Sequence, residues 1–449
     1  MPERPTLGGM TPTGADGSPR GAPGAPGAPA LPTGPAAPGA QGLGRYAALR
    51  SGSFARLWVG LLVSNAGVQM EYVAKSWLVL EGTDSPGALG LLSLCFAVPI
   101  TVLPPLGGLL ADRVDRISLL RATQVALTVQ PLVTAGLLAA GWAPLWLLYV
   151  HTAVATALLA LDQPARQALL PALVRREALL SATGLLSVVY TGAQLVGPAL
   201  GGVLLPHLGA AWLFALNGLS TLAVLAALFG LRGVDGRPPR APGDRPHGAE
   251  GVLTLLGGGL RFARASPPVM ALLGLTLAVN LLGSAQQTLL PVLARDGWGV
   301  GAGGYGLLAA AGGAGALVAG LALAAAGDLP RKALLAGGAG LGFGLALMLA
   351  AVVPPFALGL VAMTLAGAAR AVSGAATATL LQLTTPDALR GRVMALHTVA
   401  LVGLSSFGGA AAGAVAQGAG APATVAWGAG ALILVTPALA CIARRAAAR

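Results

Sequence analysis

Long apolar stretches alternate with short polar connections along most of this chain. Runs of about 20 apolar residues recur, and each is long enough to cross a hydrocarbon core of about 30 Å as an α-helix. The pattern predicts an all-α integral membrane protein with twelve transmembrane helices. The predicted spans are 57–80, 87–110, 118–140, 144–165, 179–204, 210–231, 268–293, 303–326, 332–352, 355–381, 392–416 and 421–442.

Two segments without such stretches divide the chain. Residues 1–44 are rich in Pro, Gly and Ala, and we expect them to form a disordered cytoplasmic tail. The longest connection, 232–267, contains RGVDGRPPRAPGDRPHGAE and is typical of a flexible basic linker on the cytoplasmic side. We therefore predict an N-terminal half at 45–231 and a C-terminal half at 268–449, each with six spans.

Basic residues are distributed unevenly between the connections. With the N-terminus inside, 24 of the 27 Lys and Arg residues lie on the cytoplasmic side, as the positive-inside rule requires. Both termini are thus predicted to be cytoplasmic, in a multi-pass protein of the cytoplasmic (inner) membrane. Only 9% of residues are charged and 55% are hydrophobic, which excludes a water-soluble globule. The net charge of +12 comes from scattered residues, so we expect a lipid bilayer and no nucleic acid as partner.

Similar polar motifs recur in the two halves. ADRVDR begins at 111 and GDLPRK at 327, which places Asp112 and Asp328 216 positions apart. LPALVRR and TPDALRGR place Pro171 and Pro386 215 positions apart. Two landmarks with nearly the same offset indicate two parallel repeats of six helices.

The stretch GGLLADRVDR at 107–116 resembles the loop signature GxLADRxGR of the major facilitator superfamily. Asp115 stands where that signature has glycine. Three further segments, LDQPARQALLPALV at 161–174, VGPALGG at 196–202 and PDALRGRVMAL at 386–396, resemble the branch that contains enterobactin exporters and macrolide-efflux proteins. The resemblance covers about 400 residues and implies the major facilitator fold, in which two six-helix halves rock around a central site.

Charged residues near the cytoplasmic ends of the spans are candidates for an inner gate. Asp112 can pair with Arg113 or Arg116, and the alternative is that these charges only set the topology. Asp162 and Arg166 are four residues apart and can face each other on one helix. The candidates for this gate and its signature loop are Gly108, Asp112, Arg113, Arg116, Asp162, Arg166, Asp328, Lys332 and Arg390.

Small residues in span 5 favour close helix packing. Gly197, Pro198, Gly201 and Gly202 lie in this span, where glycine permits close approach and proline removes a backbone hydrogen bond. The segment resembles the antiporter signature of the superfamily, and packing alone also accounts for it.

Few ionisable residues lie within the spans, and each is costly there unless it faces a polar interior. Glu71 and Lys75 in span 1 are four residues apart, so they are candidates for proton coupling. The alternative is an ion pair that only neutralises both charges. His397 in span 11 is a candidate proton relay or a packed, hydrogen-bonded histidine.

The resemblance implies that spans 1, 4, 7 and 10 line a central cavity. Arg370 in span 10 would then share this cavity with Glu71 and Lys75, and two cations against one carboxylate favour an anionic or polar substrate such as a catecholate. Candidates for the cavity are Arg370, Asn280, Ser284, Gln286 and Gln287.

Motifs of enzymes are absent from the sequence. It has no GxxxxGK[ST], GxSxG or HExxH, and its two cysteines are far apart, so we expect no enzyme activity, metal site or cofactor. We predict a monomeric secondary transporter that exports a siderophore-like molecule, drug or antibiotic by alternating access, in exchange for protons. An uptake carrier, a lysophospholipid transporter and a channel are the alternatives.

Overall fold

The structure is a computed structural model that describes residues 47–231, 249–327, 331–352 and 355–447. Within these ranges all regular structure is helical. The predicted tail 1–44, the first part of the predicted linker and the gate candidate Asp328 lie outside the described residues, as does the side chain of Asp112.

Helices occur at each predicted span. Those of the first half are α1 (Gly52–Thr83), α2 (Pro86–Val102), α3 (Pro104–Arg113), α4 (Arg116–Ala139), α5 (Leu145–Leu173), α6 (Leu179–Leu208) and α7 (Ala210–Phe229). Those that follow are α8 (Ala249–Ala265), α9 (Pro267–Val292), α10 (Ala302–Ala326), α11 (Lys332–Val352), α12 (Phe356–Thr384), α13 (Asp387–Thr398), α14 (Leu404–Ala419) and α15 (Ala421–Ala447). Among the described residues, ten helices are long and apolar enough to cross a membrane.

Two predicted spans are not single continuous helices. The span 87–110 is divided at Leu103, because Pro104 and Pro105 follow it and have no backbone N–H to continue the helical ladder. The span 392–416 contains a π-helical turn at Val399–Gly403 between α13 and α14. Insertions of this kind place an extra residue in the helix and often lie at functional sites.

Part of the predicted flexible linker is helical. Residues 249–265 form α8, which packs against α13. The approach is close, because a Cβ atom on Gly259 would lie 2.9 Å from the carbonyl oxygen of Arg392. Ala263 on the same helix is fully buried. Packing against a neighbour therefore orders a segment whose Gly and Pro content suggested flexibility.

Asp115, the residue that departs from the loop signature, begins α4. Its backbone is extended, with φ −61° and ψ 120°, so glycine is not needed there. Its carboxylate accepts hydrogen bonds from the backbone N–H and the hydroxyl of Ser118, at 2.8 and 2.7 Å. Partial burial alone would raise the pKa of Asp115, but these hydrogen bonds outweigh it and hold the pKa below its ordinary value.

The ends of the bundle differ in charge. One end of the bundle carries the connections 113–116 and 174–178 and the start of α11. We call it the basic end, because it carries Arg113, Arg116, Arg175, Arg176 and Arg331. The other end, which carries the connections 84–85, 140–144 and 298–301, is called the opposite end. α6 packs against α10, and α2 packs against α14, so these helix pairs join the two halves.

Glycines bring the two halves into backbone contact near the opposite end. A Cβ atom on Gly306 would lie 2.4 Å from the carbonyl oxygen of Pro198 and 2.5 Å from the Cα atom of Gly202. A Cβ atom on Gly413 would lie 2.5 Å from the Cα atom of Gly90. No side chain fits between these helices, and this close packing closes the opposite end.

The other packing candidates of α6 contact α1 within the first half. A Cβ atom on Gly197 would lie 2.4 Å from the Cβ atom of Gln69, and one on Gly201 would lie 3.0 Å from the carbonyl oxygen of Met70. One face of α6 thus packs against its own half, while Pro198 and Gly202 contact the other half.

Candidate functional site

A cavity of about 560 Å³ lies between the two halves. Its lining extends from Tyr305 and Lys75 to Asp162 and the exposed Gln163 near the basic end. The residues predicted to share a chamber do so: the lining includes Glu71, Lys75, Asn280, Ser284, Gln286, Gln287 and Arg370. Helices α2, α4, α6, α7, α10 and α14 also contribute, so the chamber has more walls than the four spans that the resemblance implies.

Glu71 is the centre of a buried polar cluster. Its Oε1 atom lies 3.3 Å from Nζ of Lys75 and 2.8 Å from Nε2 of His151. Its Oε2 atom accepts a hydrogen bond of 2.6 Å from Nδ2 of Asn217. All four side chains are buried, so the predicted Glu71–Lys75 ion pair forms and is joined by two partners from other helices. These three polar partners offset the cost of burying the negative charge of the carboxylate.

His151 connects this cluster to α4. Its Nδ1 atom lies 2.9 Å from Oγ1 of Thr134, and that hydroxyl lies 3.0 Å from the carbonyl oxygen of Gln130. The side-chain amide of Gln130 donates a hydrogen bond of 2.7 Å to the carbonyl oxygen of His151. The ring of Phe214 packs edge-on against the imidazole, with the centroids 5.0 Å apart. The histidine is therefore held on both ring nitrogens and one ring face.

Arg370 differs from the other charged groups named in the cavity, because it has no polar partner among the described residues. It lies on α12, lines the cavity and is exposed to it. Within the described part of the chain, no side chain or carbonyl forms a hydrogen bond or ion pair with it. Because a guanidinium keeps its charge, this group is available to an anionic or oxygen-rich ligand.

Three of the four remaining predicted cavity residues have local partners. Asn280 donates a hydrogen bond of 2.8 Å to the carbonyl oxygen of Thr276, and Ser284 donates one of 2.6 Å to that of Leu281. Gln286 contacts the Sδ atom of Met363 at 3.4 Å. These groups add polar surface to the cavity beside Arg370.

Asp162 and Arg166 form the predicted pair near the basic end. Nε of Arg166 lies 2.9 Å from Oδ2 of Asp162, and a guanidinium Nη2 contacts the same oxygen. The other oxygen of Asp162 accepts hydrogen bonds from Thr123 and Gln124 of α4, at 3.0 and 2.9 Å. Asp162 is only 1% exposed, so its buried charge is stable only while these three partners are in place.

We expect Asp162→Asn to lower the free energy of unfolding by about 3 kcal/mol, because it removes the charge that compensates the largely buried Arg166. Thermal unfolding in detergent measures the change. Asp387→Asn is the matched control, since its pair with Arg390 lies at the surface with side chains 87% and 47% exposed. That control should have no measurable effect, and equal losses in the two variants would contradict the interpretation.

The other gate candidates whose side chains the structure describes lie at the basic end and outside the cavity lining. Gly108 has open space where a Cβ atom would stand, and Arg113 is exposed. Arg116 donates a hydrogen bond of 3.3 Å to the carbonyl oxygen of Ala168, and Arg390 donates one of 3.2 Å to that of Gln382. Lys332 is the first residue of α11. Their roles in gating stay predictions.

His397 does not belong to the described cavity lining. It is buried, and its Nε2 atom has no hydrogen-bond partner among the described residues. The structure therefore separates this predicted relay from the Glu71 cluster.

Sequence reasoning identified the intrahelical partners of the two buried carboxylates but not their partners on other helices. For Glu71, the available signal was His151, a histidine on the cavity-lining span 4. The other partners are common polar residues on helices that are distant along the chain, so the sequence gives no signal for them. The residues not predicted are Thr123, Gln124, Gln130, Thr134, His151 and Asn217.

Side chains of the two halves also meet at the opposite end. Arg295 contacts Asp84 of the first half at 2.5 Å and Asp296 at 2.6 Å. The rings of Trp77 and Tyr305 are stacked with centroids 6.1 Å apart. These contacts lie on the same side as the glycine packing and add to the closure there.

Comparison with known proteins gives one family. The model of the transmembrane secretion effector family matches residues 43–447. The enterobactin exporter EntS of Shigella boydii serotype 4 is 33% identical over 369 residues, which cover 79% of this chain and 81% of that protein. EntS of Escherichia coli O1:K1 / APEC is 34% identical over 317 residues, which cover 68% of this chain and 71% of the relative.

Solved transporters share the fold at much lower identity. The nucleoside transporter NupG matches with a TM-score of 0.67 and 10% identity, over 87% of this chain and 99% of the other. A bacterial homologue of the human lysosomal transporter Spinster, in an inward-facing and unoccupied conformation, matches with a TM-score of 0.59 and 16% identity, over 89% and 95%.

Proposed function

Because the chain belongs to the transmembrane secretion effector family of the major facilitator superfamily, we propose that it exports a small polar or anionic molecule in exchange for protons. The family resemblance of its loop motifs is confirmed. The protein is a secondary transporter that exports small molecules, with multiple spans in the cytoplasmic membrane, and it is not an enzyme.

The proposed mechanism is alternating access in a twelve-span protein with both termini in the cytoplasm. The closed opposite end and a cavity that extends to the basic end support this mechanism, because a carrier needs a central site reached from one side at a time. The positive-inside rule assigns the basic end to the cytoplasm, which would make this arrangement inward-facing.

The proposed substrate class rests on Arg370, whose guanidinium lies in the cavity without a partner among the described residues. A cation without a protein partner in a low-dielectric chamber favours a ligand with negative charge or several acceptor oxygens. The curated relatives are named enterobactin exporters, and we propose a siderophore-like, oxygen-rich substrate of that class. A drug or antibiotic with similar groups is the second candidate substrate.

Proton exchange is supported by the buried Glu71 cluster. It holds an ammonium and an imidazole, each within hydrogen-bond distance of the carboxylate of Glu71, and all three line the cavity. Such a cluster has the groups needed to bind and release a proton beside the substrate.

Proteoliposomes that contain the protein and a pH-sensitive dye test the exchange. With enterobactin as probe and a proton gradient imposed, we expect substrate movement in one direction to be accompanied by proton movement in the other. Protein-free liposomes and ethidium, a lipophilic cation, are the controls. Proton movement in the same direction as the substrate, or substrate movement without protons, would refute exchange.

A further inference from the structure

We propose that His151, and not Glu71, is the group that binds and releases the proton, and that the hydroxyl of Thr134 changes its hydrogen bond as it does so. This inference rests on the proposed use of protons by the transporter. It does not depend on whether protons move against the substrate or with it.

Glu71 is poorly arranged to accept a proton. Its carboxylate oxygens face two fixed donors, the ammonium of Lys75 at one oxygen and the amide nitrogen of Asn217 at the other. A protonated carboxyl group needs an acceptor for its O–H, and of its three partners only Nε2 of a neutral His151 can supply one. Protonation of Glu71 would also remove the negative charge that compensates the buried ammonium of Lys75.

His151 has an acceptor available at each ring nitrogen. Nε2 faces the carboxylate of Glu71 at 2.8 Å, and Nδ1 faces the hydroxyl oxygen of Thr134 at 2.9 Å. When that hydroxyl donates to the carbonyl oxygen of Gln130, which is 3.0 Å away, its oxygen is left to accept from Nδ1–H. In this arrangement both ring nitrogens donate, so the imidazole carries a proton on each and is positively charged.

Loss of the Nδ1 proton requires only a rotation of one hydroxyl. The hydrogen of Thr134 turns from the carbonyl oxygen of Gln130 to Nδ1, which then accepts it, while Nε2–H continues to donate to Glu71. No heavy atom has to move between the two states. The hydroxyl therefore satisfies both the charged and the neutral form of His151.

Among the described residues, the charged groups nearest His151 are one anion and one cation. Helix α1 presents the carboxylate of Glu71 and, bound to the same oxygen, the ammonium of Lys75. Helix α4 presents the neutral groups of Thr134 and Gln130, and α7 presents Asn217 and the ring of Phe214, which are neutral as well. The other described groups that contact the imidazole or its carboxylate partner are therefore neutral.

His151 is also placed where a proton can reach it. It is 3% exposed, yet it belongs to the lining of the cavity together with Gln130. The proton released from Nδ1 passes to water in the chamber and is taken back from it, while the hydroxyl of the buried Thr134 turns without losing its own proton. The site is accessible from the side to which the cavity is open.

Nuclear magnetic resonance of protein with ¹⁵N-labelled histidine in detergent tests the assignment. The chain has four histidines, and the signal lost in His151→Gln identifies the ring of interest. We expect that signal to titrate with pH. In Thr134→Val, which has nearly the same shape but no hydroxyl, both forms of His151 lose a hydrogen bond at Nδ1. The proton concentration that half-protonates His151 should rise about tenfold, because the charged form loses a charge-assisted hydrogen bond, which is stronger than the neutral one.

Thr134→Ser is the matched control, because it keeps the hydroxyl and should titrate within about twofold of wild type. In proteoliposomes, Thr134→Val should shift the pH dependence of proton-coupled transport in the same direction as the titration. A His151 signal that does not change between pH 5 and 9, or equal titration in the Val and Ser variants, overturns the proposal. If the exchange assay fails while His151 titrates as expected, the proposed exchange is wrong and the assignment of the proton site to His151 stands.

Discussion

Arg370→Gln should weaken substrate binding by about 10-fold to 100-fold, because it removes a charge-assisted contact between the guanidinium and the ligand. Arg370→Lys should restore part of the affinity, since the ammonium keeps the charge but cannot form the paired hydrogen bonds of a guanidinium. Equilibrium binding of enterobactin to the protein in detergent measures the change.

The same substitution should leave the fold intact. Arg370 has no hydrogen bond or ion pair with another described residue, so Arg370→Gln breaks no internal contact and removes a charge that is costly in a membrane. We expect its thermal stability to equal or exceed that of wild type. Binding loss without stability loss would therefore identify a ligand contact.

Arg390→Gln controls for the change in net charge. Arg390 is exposed at the basic end, where it pairs with Asp387 at 2.5 Å and lies outside the described cavity lining. Its replacement should leave binding unchanged. If both variants lose affinity equally, the effect comes from the overall field of the protein, and Arg370 is not a substrate contact.

Gly306→Ala should reduce transport at least tenfold by keeping the opposite end from closing. The added methyl group would stand 2.4 Å from the carbonyl oxygen of Pro198 and 2.5 Å from the Cα atom of Gly202, and both of these are backbone atoms. Because backbone atoms cannot rotate away, α6 and α10 must separate. The state with a closed opposite end then becomes less populated.

Gly303→Ala, one turn away on the same helix, is the matched control. A methyl group there would lie 3.6 Å from the carbonyl oxygen of Gly202, which is an ordinary contact distance. Spin labels at the exposed residues Ala140 and Ala419, in a variant without Cys95 and Cys441, report the separation of the halves at this end. We expect longer distances in Gly306→Ala alone, and unchanged distances would contradict the role of this glycine contact in closure.

Local properties of the sequence predicted most of the helical structure. The span predicted at 332–352 has the same bounds as α11, because an apolar stretch with the basic residues Arg331 and Lys332 at one side and the prolines at 354 and 355 at the other allows few other starts and ends in a membrane protein. The ion pairs Glu71–Lys75 and Asp162–Arg166 were also predictable, since residues four apart on one helix are neighbours whatever the fold.

The break at Leu103 was only partly predictable from the sequence. The two prolines that follow Leu103 are visible in the sequence, yet the hydropathy of the stretch is continuous, so the apolar pattern alone predicts one span. Proline interrupts the hydrogen bonds of a helix without interrupting its apolar surface, and the two kinds of signal therefore disagree there.

The apolar spans, their short polar connections and the intrahelical charge pairs were determined by the sequence alone, because each depends on residues close together in the chain. The tertiary structure decided which residues complete the site. His151 and Asn217 are 80 and 146 positions from Glu71, and only the packing of α5 and α7 against α1 brings their donors to its carboxylate. The same packing gives Glu71 these two further partners and leaves the cation of Arg370 facing the cavity, since hydrogen bonds between helices depend on their relative rotation and distance.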